Sequence, residues 1–255
     1  MIGVFDSGLG GLAALAPLQG LLPTKDICYL ADTAALPLGE KTDAVIRARI
    51  HAALTFFEEK GAEAVLLACG TAGSLITREC KEEFAFPIFD IIQPTAEALR
   101  SSGCSARVAV LCTEAAARAG AFAAALARRD APVFSLACPA LVRIAEGDII
   151  GRKRAVTRTL APLFSVRPTA IVLGCTHFSL LQPVIAAHFP SAYILDAAAC
   201  AASATAAYVM AHAAKGEAGR TLFFTTGAPA PFSGKASRIL GYSTHAEHLP
   251  FPIPM

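Results

Sequence analysis

Short apolar runs bounded by small or polar residues recur along the chain and read as buried strands. They are Ile2 to Phe5, Ile27 to Leu30, Val65 to Ala68, Ile88 to Ile91, Val108 to Leu111, Val133 to Leu136, Ala170 to Leu173 and Tyr193 to Leu195. Between them the apolar positions fall at helical spacing. This predicts helices over Leu12 to Leu21, Asp43 to Lys60, Leu75 to Phe84, Thr95 to Arg100, Ala115 to Arg129, Leu141 to Glu146, Arg152 to Phe164 and Leu180 to His188. Alternating strands and helices predict mainly parallel sheets with helices on both faces. Right-handed connections then place the loops at the strand C-termini. A further strand, Thr221 to Thr225, and a short helix near Phe232 to Leu240 follow. The tail Leu249 to Pro254 carries too much proline for regular structure.

The chain has 255 residues, enough for two compact domains or one large one. Segment Asp90 to Pro94 reads as a crossover between domains, with a second break near Asp196 to Ala202. The net charge is +2 and the basic residues do not cluster, which argues against nucleic acid as a partner. The aromatic content of 7%, with no Trp, argues against a base-stacking platform. Ala197 to Ala214 is the one candidate membrane span, but it holds Ser203, Thr205, Tyr208 and His212 and reads better as a small-residue helix packed on a sheet. No basic leader precedes the first strand, so the expectation is a cytoplasmic protein with no membrane partner.

There are eight cysteines, with no Cys-x-x-Cys pair and no His-x-x-x-His, so neither a metal site nor a disulfide framework is expected. Cys28, Cys80, Cys104 and Cys200 read as small buried hydrophobes. Cys69 and Cys175 differ. Each closes an apolar strand (Val65-Leu66-Leu67-Ala68-Cys69 and Ile171-Val172-Leu173-Gly174-Cys175), and small and hydroxylated residues follow at once. A thiol between a strand end and a helix N-terminus is favoured as thiolate. One such thiol in each half of the chain suits moving a proton from one face of a carbon to the other. His177 could instead pair with Cys175 for acyl transfer, which would leave Cys69 without a role.

Phe5-Asp6-Ser7-Gly8-Leu9-Gly10-Gly11 forms a strand followed by a Gly-rich turn. Gly8-x-Gly10-x-x-Ala13, with Asp32 after the next strand, matches a variant dinucleotide fingerprint and so an NAD-dependent oxidoreductase. The competing reading is a carboxylate-binding turn that holds an acidic residue near a thiol.

Taken together, these segments resemble the glutamate racemases of the aspartate/glutamate racemase superfamily, nearly end to end. The resemblance is carried by Phe5-Asp6-Ser7-Gly8-x-Gly10-Gly11, Asp32-Thr33-Ala34, Gly39-Glu40-Lys41, Ala68-Cys69-x-Thr71-Ala72, Ala137-Cys138-Pro139 with Glu146, Leu173-Gly174-Cys175-Thr176-His177, and Phe223-Phe224-Thr225-Thr226-Gly227. It implies two Rossmann-like α/β domains related by a pseudo-twofold axis, residues 1–92 plus 205–255 and residues 93–204, with the active site in the cleft between them. It implies racemisation of glutamate by two bases with no cofactor and no metal, supplying D-glutamate for peptidoglycan. Cys69 would act on the D side with Asp6, and Cys175 on the L side with His177 and Glu146. Asp6, Ser7, Leu38, Gly39, Gly70, Thr71, Thr113, Thr176 and His177 occupy the substrate-binding positions. The partner implied is a small acidic amino acid, and a homodimer is compatible with the reading.

The chain departs from the family pattern where Gly70 replaces Asn after the first cysteine, Leu38 replaces Tyr, and Ala116 replaces Thr. A hydrogen bond to a charged group lost at Gly70 is worth about 1.5–3 kcal/mol. The alternatives left open are another acidic substrate, such as aspartate, or a binding or regulatory homologue with weakened catalysis.

Overall fold

The computed structural model describes residues 1–104, 107–127, 133–147, 152–212 and 218–251. The chain runs β1 (Ile2–Asp6), α1 (Leu12–Leu21), β2 (Ile27–Ala31), α2 (Asp43–Glu59), β3 (Ala64–Leu67), α3 (Gly70–Leu75), α4 (Arg78–Glu82), β4 (Ile88–Asp90) and α5 (Ile92–Ser101). It continues with β5 (Val108–Cys112), α6 (Glu114–Ala119), α7 (Ala121–Leu126), β6 (Val133–Ala137), α8 (Pro139–Ala145), α9 (Arg152–Val166), β7 (Ala170–Leu173), α10 (Thr176–Ser179), α11 (Gln182–His188) and β8 (Tyr193–Asp196). It ends with α12 (Ala197–His212), β9 (Thr221–Thr225), α13 (Pro229–Leu240) and β10 (Ala246–His248).

Among the described residues ten strands form two parallel sheets, ordered β10-β9-β2-β1-β3-β4 and β6-β5-β7-β8. The first four strands of each sheet follow one rule. The second strand lies outside the first, and the third and fourth lie on the other side. In such sheets the order reverses between the first and third strands, and the crevice at their C-terminal ends is where ligands bind. Asp6 closes β1 and Cys69 follows β3, while Thr113 and Cys175 follow β5 and β7. The same topological position thus supplies a thiol from each sheet.

One apolar cluster joins the inner faces of both sheets, drawing on Leu12 and Leu15 of α1, Ile92 and Ala96 of α5, and Ala198, Ala201, Ala202 and Ala206 of α12. The small side chains of α12 allow it to pack against α1 and α5 between the sheets. The described part of the Ala-rich segment is therefore a helix that buries one face between the sheets, and no helix among the described residues is long and apolar enough to cross a membrane. Separate clusters cover the outer faces, under α2 on the first sheet and under α8 and α9 on the second.

Several elements differ from the sequence expectation. The helix expected over Ala115 to Arg129 is two helices, because Gly120 between them takes φ 67°; Arg129 lies outside the described residues. The helix expected from Leu75 to Phe84 is replaced by α3 and α4, the second capped by the Thr77 hydroxyl accepting from Cys80 N–H at 3.2 Å. At Asp196 to Ala202 the chain leaves β8 of the four-stranded sheet and enters α12 directly, on its way to β9 of the six-stranded sheet, with Asp196 Oδ1 accepting from Ala198 N–H at 2.9 Å. Asp90 caps α5 in the same way, accepting from Ile92 N–H at 2.7 Å. The edge strand β10 was not expected. Pro252 to Pro254 and Ala213 to Ala214 lie outside the described residues.

Candidate active site

A cavity opens where the C-terminal ends of the two sheets face each other. Cys69 and Cys175 both line it, each at the residue before a helix and each about 4% exposed. Ser7, Leu38 and Gly39 line it from the first sheet's loops, and Thr113, Thr176 and His177 from the second sheet's. Thr71 completes the wall, sharing a hydrogen bond with Thr113 between their hydroxyls at 2.8 Å. Asp6, Gly70 and Glu146 stand just behind this wall. Leu36, Pro37, Pro139 and Val142 add apolar surface that the resemblance did not point to. No Lys or Arg lies among the described lining residues, so besides His177 and the carboxylates of Glu40 and Glu114 the polar groups offered to an anion here are hydroxyls and backbone N–H groups.

The two thiols have different neighbours. Cys69 donates to Ser7 Oγ at 3.7 Å. Burial, with the nearby Asp6 charge and the Cys175 sulfur, pushes its thiol up to about 12, although an Ala72 N–H and Ser7 favour the thiolate. The helix N-terminus therefore does not make Cys69 a thiolate. α3 has only six residues, and the partial charge it offers is outweighed by burial and a carboxylate. Cys175 Sγ lies 3.7 Å from His177 Nδ1. His177 Nε2 lies 2.7 Å from Glu146 Oε1, in a pair almost closed to solvent. Burial pushes the imidazole down, but Cys175, Glu146 and Asp6 together hold it well above its usual range. Burial also pushes Glu146 up, but His177 and Lys235 outweigh it and keep that carboxylate low. The surroundings thus favour the protonated form of the imidazole beside Cys175 and the thiol form of Cys69.

Asp6 is fully buried. Its Oδ1 accepts from Gly8 N–H at 2.8 Å and its Oδ2 from the Thr176 hydroxyl at 2.9 Å. Burial raises its carboxyl, against the pull of His177, the Gly8 and Gly11 amides and Thr176. Asp6 therefore ties the first sheet's turn to the turn that carries Cys175, and Ser7 is the direct neighbour of the Cys69 sulfur.

Two glycines are required by close approach. A Cβ on Gly10 would lie 2.5 Å from Thr176 Oγ1 and 2.7 Å from His177 N. The space a pyrophosphate would take over this Gly-rich turn is filled by the opposite turn, which removes the dinucleotide reading. Asp32, the other half of that reading, is buried in an ion pair with Arg49 and accepts from Thr226 Oγ1 at 2.7 Å. A Cβ on Gly70 would overlap the Gly174 carbonyl oxygen. The backbones after β3 and β7 touch there, so this position has no room for a larger residue.

Sequence comparison agrees with this geometry. The profile of the Asp/Glu/Hydantoin racemase family matches residues 19–205. A glutamate racemase of Gloeobacter violaceus is 34% identical over 258 residues, covering 99% of this chain and 97% of its own. One from Pseudomonas aeruginosa is 34% identical over 236 residues, 89% of each chain. The crystal structure of a glutamate racemase from Bacillus anthracis superposes with a TM-score of 0.93 at 26% identity, covering 100% of this chain and 98% of that one. That of Francisella tularensis, in complex with D-glutamate, superposes with a TM-score of 0.86 at 25% identity, covering 97% and 96%. With two matching sheets, a thiol at the same topological position of each and this extent of similarity, the chain belongs to the Asp/Glu/Hydantoin racemase family.

Proposed function

We propose that the protein interconverts L- and D-glutamate without a cofactor, using Cys69 and Cys175 as bases on opposite faces of Cα. The observation that carries this reading is the pair of thiols, one from each sheet, lining one cavity with one poised as acid and the other beside an imidazolium. In the L-to-D direction the Cys175 thiolate takes the Cα proton. The Cα–H electron pair passes into the α-carboxylate, and the Cys69 thiol delivers its own proton to the opposite face. The D-to-L direction reverses both steps. The Cα proton of an amino acid is very weakly acidic, so the developing charge must meet fixed donors. The hydroxyls of Ser7, Thr71, Thr113 and Thr176 and the amides of Leu38 and Gly39, which line the cavity, would hold the substrate's amino and carboxylate groups. Asp6 steadies the turn between the two bases, and Glu146 orients His177 toward Cys175. The product would supply peptidoglycan in the cytoplasm, as the resemblance implies.

The test is chiral analysis of L- and D-glutamate, and of both aspartates, after incubation with the protein alone. Glutamate should racemise from either side, and Cys69→Ser and Cys175→Ser should each lose at least about 1,000-fold in kcat/KM. A variant lacking one thiol that still interconverts glutamate at the wild-type rate would remove the two-base assignment.

A further inference from the structure

Lys235 lies outside the cavity and belongs to none of the motifs that single out the site. It sits on α13, which follows a strand of the six-stranded sheet. Its Nζ donates to the Glu146 main-chain oxygen at 3.0 Å and lies 3.6 Å from Glu146 Oε2. Glu146 belongs to the other half of the molecule, as the C-cap of α8. The chain turns away there, with Gly147 at φ 98°. Helical continuation therefore does not secure this carboxylate. It is secured from across the cleft, by Lys235 and by the Leu9 N–H of the β1–α1 turn. Its other oxygen holds His177 Nε2 at 2.7 Å, and His177 Nδ1 faces the Cys175 sulfur at 3.7 Å. Of the nearby cations, Arg143 on α8 is already paired with Glu40 at 3.0 Å.

We propose that Lys235 is a positioning residue for the Cys175 base: by gripping Glu146 at both its main chain and its carboxylate, it fixes the His177 imidazole against the Cys175 sulfur. The inference rests on Cys175 being the base on the L face. Outer partners of this kind set the orientation of a reacting group without touching substrate, and the loss of such partners at metal sites, where they hold the ligands, costs about 10- to 100-fold. Lys235 also makes the L-face base depend on the half of the molecule that carries Cys69, so that half contributes to both bases.

The experiment compares wild type, Lys235→Met and Lys235→Arg. Racemisation has an equilibrium constant of one, so kcat/KM must fall equally in both directions, by about 10-fold in Lys235→Met. The discriminating readout is the kinetic effect of Cα deuteration. It should rise for L-glutamate, whose proton leaves to Cys175, and fall for D-glutamate, whose proton leaves to Cys69. Lys235→Arg should restore the wild-type values. A purely structural role would lower the rate and leave both isotope effects unchanged, which would overturn the proposal. A second measurement does not depend on turnover. The downfield proton resonance of the His177 Nε2–H bonded to Glu146 should broaden into solvent exchange in Lys235→Met and return in Lys235→Arg. An unchanged resonance also overturns the proposal. A wild-type protein that leaves glutamate untouched while this resonance responds to Lys235 would instead sink the substrate assignment.

Discussion

Gly70 is small because the Gly174 carbonyl occupies the place its side chain would take. From sequence alone the position reads as a lost polar contact to substrate. The physical reason for the glycine is a meeting of two backbones over 100 residues apart, which no local pattern encodes. Gly70→Ala should therefore push the two thiol-bearing turns apart. Overpacking of this kind costs about 1–3 kcal/mol in stability, read as a lower urea midpoint. A displacement of about 1 Å at the reacting groups costs about 100-fold in kcat/KM, read by coupled glutamate assay. The thiols themselves were legible, because an apolar strand that ends in Cys and a hydroxylated turn is a local signal. Lys235 was not, since a lysine on a polar helix face carries no mark of the carboxylate it reaches. Arg49 is a further case: it is about 1% exposed and pairs with the fully buried Asp32 behind the turn that carries Leu38 and Gly39. Arg49→Met would leave that carboxylate buried and unpaired. It should lower unfolding free energy by about 3–5 kcal/mol in chemical denaturation.

At the scale of elements, the parallel strands were readable as uninterrupted apolar runs, since strands buried on both faces need no polar alternation. The helix breaks were less readable. An Ala-rich stretch has high helical propensity across Gly120, yet that residue takes φ 67° and turns α6 into α7. A Cβ there would meet nothing within 4 Å, so substitution tests backbone conformation alone. Gly120→Ala should cost about 1–2 kcal/mol, seen as a lower thermal midpoint, with racemisation rate unchanged. β10 escaped the sequence because it spans three residues, two of them the exposed Glu247 and His248. Such a run lacks the apolar content that marked the other nine strands.

At the scale of the molecule, the two sheets share a strand order and meet through one central core, so the cleft is where their loop ends converge. The space enclosed there is about 30 Å³, room for a few waters and less than an amino acid needs. Two ion pairs join the halves, Glu40, which lines the cavity, with Arg143 at 3.0 Å and Asp43 with Arg118 at 2.6 Å. Burial of several thiols also ties stability to pH. It pushes Cys28, Cys69 and Cys112 up to about 12, from 9.0 in the open chain, and pushes Cys138 up as well. Between those limits the unfolded chain has released protons that the folded chain keeps. The stability these groups contribute is complete below about pH 9 and is lost as pH rises toward 12, by about 1.4 kcal/mol per pH unit for each thiol. The raised imidazole of His177 adds loss of the same sign, starting lower, above its ordinary 6.5. The urea midpoint should therefore fall between about pH 8 and about pH 10.

The central claim, two thiols acting on opposite faces of one carbon, is tested most directly by the fate of the Cα hydrogen in D2O. L-glutamate is incubated with the protein in D2O, and both enantiomers are followed by NMR and chiral separation at early times. Two bases predict that newly formed D-glutamate carries deuterium at Cα while the remaining L-glutamate stays protiated, with the mirror result from D-glutamate. D-glutamate that retains the original hydrogen, deuterium entering the starting enantiomer as fast as the product, or no exchange from either side would contradict it.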